Sequence, residues 1–176
     1  PRSSNDDIDI LIVTSPQSLW ITRLLVIIRA MVLGKYRSHN SHQDGWCFNM
    51  WLTHNSLSLP TSRRSLYTAH EVVQAELVYG SENVLLAANP WVVSYLPHAC
   101  LPQPAMTAVR TASPLITIIN LLTYGLQRLY MLPRQTIERV GVEFAFFHPR
   151  KTGKNVLQTY HARLRNYGFS HNPLKC

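Results

Sequence analysis

Acidic residues are scarce in this 176-residue chain: nine Asp and Glu stand against 17 Lys and Arg, for a formal net charge of +8. That imbalance points to an anionic partner such as nucleic acid, a nucleotide or another acidic surface. Cysteine is rarer still. Cys47, Cys100 and Cys176 lie far apart with no Cys-x-x-Cys. This argues against a disulfide framework and a structural zinc site, and for a reducing, cytoplasmic setting. Glycine is thinly spread, and the chain has no Gly-x-Gly-x-x-Gly, no phosphate loop ending in Gly-Lys and no Gly-x-Ser-x-Gly. The dinucleotide fingerprint, the P-loop and the hydrolase elbow are thereby excluded. Uninterrupted apolar runs of membrane length are also missing. Arg23 and Arg29 break the first long run, and Asn120, Gln127 and Arg128 break the second, so no membrane span is expected. No internal repeat is visible.

What remains is a globular composition, 46% hydrophobic and 15% charged, in a chain long enough for one domain or slightly more. Ile8 to Val13 is an apolar, β-branched run of strand length. Ser15-Pro16 then reads as N-cap and first residue of a helix to about Leu33, stopped by Gly34. A polar, basic loop over 35–46 leads into a second strand, Trp46 to Leu52, placed beside the first. Together residues 1–60 form a partial α/β core. Residues 61–97 add helices packed on it: one from about Leu66 to Tyr79, and one capped by Ser81 and kinked or restarted at Pro90. Residues 98–114 are a Pro-rich linker. Residues 115–176 are expected to be helical throughout. The apolar helix from Pro114 to Met131 is buried or faces a partner, and offers a route to oligomerisation. Pro133 restarts a short helix through Val140, Phe144 to Phe147 plug the core, and a last helix runs from Thr152 to Tyr167. The expected class is α/β (α+β): a small mixed sheet with flanking helices and a helical C-terminal segment.

The chemistry concentrates at the opening strand. Asp7 and Asp9 are two apart, so on a strand both carboxylates project from one face. Like charges that close are unfavourable unless neutralised, and a hard divalent cation with oxygen ligands is the usual answer. The alternative is that these acids are ordinary turn residues at a strand's entry.

Ser-Asn-Asp-Asp-Ile-Asp-Ile-Leu-Ile-Val-Thr over 4–14 resembles the metal-binding strand of the polymerase-β-type nucleotidyltransferases. The stretches around Leu19-Trp20 to Arg23, Cys47 to Leu52, Tyr67 to Glu71 and Asn89 to Pro97 are similar to bacterial nucleotidyltransferase-domain proteins. The resemblance implies a nucleotidyltransferase-like fold with Asp7 and Asp9 holding Mg²⁺ (or Mn²⁺), and Ser3 and Ser4 assisting the nucleotide phosphates. The implied reaction moves a nucleoside monophosphate from a nucleoside triphosphate to a small molecule, RNA or protein. The chain departs from the family pattern in three ways. It lacks the upstream Gly-Ser turn, it has no acid within 47–52 to serve as third carboxylate, and it opens at Pro1 without Met. The expectation is an N-terminally truncated fragment, with Asp44 the nearest acid left for the third position. Two rivals follow: a catalytically inactive module of the same fold binding nucleic acid or a protein partner, and a helical partner protein docking through 114–131.

Other residues carry competing readings. Lys35, Arg37, His39 and His42 either gather around phosphate or form an exposed loop, and His39-x-x-His42 lacks further ligands at zinc spacing. His70-Glu71-Val72-Val73-Gln74 has Gln where a zinc protease needs its second His, which argues against that activity. Arg23 is either a solvated helix edge or an arm to phosphate. The aromatics over 144–147 beside Arg150 and Lys151 either stack bases or fill the core.

Overall fold

The computed structural model describes residues 8–36, 45–80, 83–102, 112–134, 139–147 and 150–168. They divide into two compact units: Pro1–Leu57 with Met106–His148, and Ser58–Ala105 with Pro149–Cys176. Ser3, Ser4, Asp7, Asp44 and most of the linker lie outside the described residues.

The first unit carries a four-stranded mixed sheet of β1 (Ile8–Thr14), β2 (Trp46–Thr53), β3 (Arg139–Val140) and β4 (Phe144–Phe146), in the order β1-β2-β4-β3. The β-branched and aromatic residues of β1 and β2 suit a pleated, half-buried surface. These two strands are parallel and are joined through helix α1 (Leu19–Val32), while β4 pairs antiparallel with both β2 and β3. One register row crosses the whole sheet: Ile12 opposite Trp51, Trp51 opposite Ala145, and Ala145 opposite Val140. Directly paired residues share a face. This row packs with Leu19 and Trp20 of α1 and with Met131 at the end of helix α4 (Pro114–Met131). The Trp20 indole donates to the carbonyls of Gly141 (3.2 Å) and Val142 (3.0 Å), tying α1 to the turn between β3 and β4.

Two local expectations are corrected. Helix α1 begins at Leu19, after a turn in which Gln17 takes a positive φ of 62° and the Ser18 hydroxyl donates to the Ser15 carbonyl at 2.8 Å. A left-handed residue cannot continue a helix, so Ser15-Pro16 belongs to the turn. The C-terminal region is not wholly helical. A 3₁₀ turn at Leu132–Arg134 follows α4, and β3 and β4 then cover the β2 edge, whose backbone groups would otherwise lack partners. The aromatic stretch is core: Ala145 and Phe146 are buried and Phe147 packs on the cluster.

Helix α4 occupies the expected span, with the Ser113 side chain capping it. Two of its polar residues, Asn120 and Gln127, face inward. Asn120, 1% exposed, accepts through Oδ1 from the backbone amides of Trp20 (2.8 Å) and Ile21 (3.4 Å). Gln127, 8% exposed, donates through Nε2 to the Trp20 carbonyl at 2.8 Å and accepts through Oε1 from Arg23. Seven residues apart, the two lie two turns along one face. The leucines and isoleucines of α4 face outward, Leu115 being 66% exposed, Leu122 69% and Leu129 68%, whereas Tyr124 and Met131 pack on the core.

The second unit is built from α2 (Leu66–Gln74), α3 (Val84–Ala87), a 3₁₀ turn at Pro90–Ser94 and α5 (Arg150–Asn166). Ser65 caps α2 by accepting from the Thr68 amide at 3.1 Å. The helix ends at Gln74, five residues earlier than expected, because Ala75 turns to an extended conformation. Asn83 caps α3, and Pro90 opens the 3₁₀ turn, where its missing N–H is harmless. Asn89, fully buried, accepts from the Leu59 amide and the Trp91 indole and donates to the Leu85 carbonyl, each at 2.8 Å. Gly153 of α5 meets Tyr67 of α2, where an added Cβ would lie 2.9 Å from the ring. No helix among the described residues is long and apolar enough to cross a membrane.

Asn120→Ala strands the Trp20 and Ile21 amides in a buried site and should destabilise the chain by about 1–3 kcal/mol. Leu122→Gln, on the outward face, should shift monomer stability by no more than about 0.5 kcal/mol. Urea unfolding of both variants at low protein concentration checks this inversion of the usual order.

Candidate functional site

Asp9 is the second residue of β1, exposed at the amino end of the edge strand and opposite Cys47 on β2. Beyond it the register slips: β1 advances two residues, Asp9 to Leu11, while β2 advances three, Cys47 to Met50. The extra residue is a bulge, a feature that re-aims side chains at strand ends. Asn49 sits in it. Its Nδ2 donates to Asp9 Oδ1, and its Oδ1 accepts from the Cys47 thiol at 3.0 Å. The backbone carbonyl of Asn49 accepts from the Phe147 amide at 2.9 Å, which anchors the bulge to the β4 side.

This trio gives one carboxylate, one amide already engaged at both ends, and a soft thiol. Mg²⁺ takes six oxygens in near-octahedral geometry. The described donors leave that shell incomplete, and Asp7, which would make the carboxylate pair, lies outside the described residues. No group of three or more His, Cys, Asp or Glu able to hold a metal occurs among the described residues. A second acidic position, Glu143, belongs to the opposite end of β2, where its carboxylate accepts from Ser56 Oγ at 3.3 Å.

The other sequence candidates are placed as follows. Arg23 is committed elsewhere: it donates to Gln127 at 2.5 Å, and its guanidinium lies 4.7 Å from the Phe147 ring centre and 5.6 Å from that of Trp20. It packs between α1, α4 and the residue after β4, so it is not a solvated helix edge. His70 and Glu71 are exposed on α2 in the other unit, where Ala69 and Val72 supply the buried face. Lys35 is exposed, while Arg37, His39 and His42 lie outside the described residues. No protein-family model, characterised protein or solved structure matches the chain. The resemblance to nucleotidyltransferases therefore rests on the quoted residues alone.

A second feature is the set of exposed apolar side chains on α1 and α4. Leu25, Ile28, Met31 and Val32 of α1 are exposed, as are the outward residues of α4. The apolar run marks this helix in the sequence but not its rotation. The seven-residue spacing of Asn120 and Gln127 was the available signal, since two polar residues on one face of an otherwise apolar helix mark the side that differs from the rest.

Arg23→Met should remove the Gln127 bond and the ring contacts, lowering stability by about 1–3 kcal/mol. Triphosphate titration of the same variant should match wild type. A selective loss of nucleotide affinity without loss of stability would return Arg23 to the phosphate role.

Proposed function

We propose that this chain is an interaction module: an α/β sheet unit that presents the outward face of α1 and α4 to a protein partner. The single observation carrying this reading is the inversion of α4, whose Asn120 and Gln127 hold α1 while its leucines and isoleucines meet solvent. Contiguous apolar surface of that kind on a folded unit marks an interaction site.

A second reading, Mg²⁺-dependent nucleotidyl transfer at Asp7 and Asp9, is favoured by one feature. The Asp9 carboxylate sits at a bulged strand end, where side chains are commonly re-aimed for chemistry. The residues that would act there are Asp7 and Asp9 toward the metal and Ser3 and Ser4 toward phosphate. When bound, the ion would offset charge on the transferring phosphoryl group.

Calorimetric titration with a nucleoside triphosphate, with and without Mg²⁺, separates the two. The interaction reading expects no metal-dependent binding by wild type or by Asp7→Asn/Asp9→Asn. It also expects the folded chain to bind an apolar fluorescent dye, and Leu122→Gln/Leu129→Gln to lose most of that signal. Metal-dependent triphosphate binding that vanishes in the double Asp variant would favour transfer instead.

A further inference from the structure

We propose that the partner is a second copy of this chain, with α4 packed antiparallel against α4 across a two-fold axis. The inference rests on the interaction-module reading and names its occupant. Positions 115, 118, 122, 125, 129 and 132 follow a strict alternation of three and four residues, the heptad seam along which helices pair. Five of the six are Leu or Ile, and each of those five is more than half exposed. Asn120 and Gln127 lie opposite the seam, turned into the unit's own core. The seam is therefore complete and free rather than borrowed from internal packing.

The sixth seam position selects the direction. Gly125 has open space around it, with nothing within 4 Å of an added Cβ. Antiparallel pairing places Leu115 on Leu132, Ile118 on Leu129 and Leu122 on Gly125, so every layer has a large side chain and the two central ones set a large residue over a small one. Parallel pairing would place Gly125 on Gly125, leaving a void, and would set the two Arg128 side chains together. In the antiparallel register the Arg128 positions lie about 13 Å apart along the axis at 1.5 Å per residue. That exceeds the roughly 10 Å over which exposed charges act at 0.1 M salt.

The area is sufficient. At roughly 100 Å² for each leucine-sized side chain exposed by half or more, the outward residues of α4 offer on the order of 600 Å². That is a large share of the ~800 Å² per partner of a standard interface. Neither helix contains Asp or Glu, so an antiparallel pair buries no acidic group.

The test is sedimentation of the full chain from low to high micromolar concentration, beside a Leu122→Lys/Leu129→Lys variant and at two salt concentrations. Wild type should reach twice the monomer mass. The variant should remain a monomer with an unchanged circular dichroism spectrum, its association weakened by roughly a hundredfold or more. Because both copies carry +8, dimerisation should tighten as salt rises. In a background with the native cysteines replaced by Ser, Ile118→Cys chains mixed with Leu129→Cys chains should form a disulfide-linked dimer under mild oxidation, whereas neither should alone. Cross-linking of each variant with itself would overturn the antiparallel register. A wild type that stays monomeric but binds the apolar dye overturns the second copy and leaves the interaction reading standing; without dye binding, both fall. Monomers that bind anionic phospholipid vesicles, more weakly as salt rises, assign the face to a membrane surface instead.

Discussion

The grip of Asn120 and Gln127 on the backbone around Trp20 is the constraint from which the first unit's form follows. The first amides of any helix have no partner within it, and at α1 the residue in the capping position does not supply one, because the Ser18 hydroxyl is turned back to Ser15. Asn120 supplies it from a helix a hundred residues away, and Gln127 adds a bond to the Trp20 carbonyl two turns on. A polar network in a low-dielectric interior is favourable when complete and costly when broken. Both side chains must therefore stay inward, and that fixes the rotation of α4. With that side committed to α1 and Tyr124 and Met131 packed on the core, the leucines and isoleucines of the helix are left exposed.

The same grip positions the sheet. Trp20, held at its backbone by α4 and at its indole by the β3–β4 turn, reaches the Trp51 row that crosses all four strands. The crossover from β1 to β2 is thus pinned at the carboxyl end of β1. Asp9 lies at the other end of that strand, under a separate local control. The bulge brings Asn49 to it, and the thiol of Cys47 occupies the far side of the amide. The network that sets the helices and the cluster at the strand entry therefore depend on different residues.

These dependencies explain what could be read in advance. β1, β2 and α4 were legible because each carries its own signal: β-branched or aromatic runs of strand length, and a Pro at the first helical turn followed by a long apolar segment. Gly34 likewise marked the end of α1 and takes φ +64° there. β3 and β4 were not legible, since strands of two and three residues have no measurable period and exist because β2 offers an edge. The true start of α1 was hidden because its cap lies on another helix. Asn120 and Gln127 read only as interruptions of an apolar run, because composition does not say which side a neighbour takes. At the candidate site the exposed acid at the strand entry was legible in Asp9, whereas Asn49 was not. A bulge is a property of two paired strands, and neither strand's sequence announces it. Asp7, Ser3 and Ser4 lie outside the described residues.

The exposed face also bears on stability. Fully burying a leucine-sized side chain contributes about 1.5–3 kcal/mol, so covering even half of the outward residues of α4 contributes several kcal/mol. That is comparable with the 5–15 kcal/mol by which folded domains exceed their unfolded chains. Any species that binds the folded face and not the unfolded chain raises apparent stability by mass action. Folding and association are then two readings of one equilibrium. The polar clasp makes the unit fold in a rotation that leaves its most apolar helix side outside, and the free energy left unrealised within the unit becomes available to whatever covers that side.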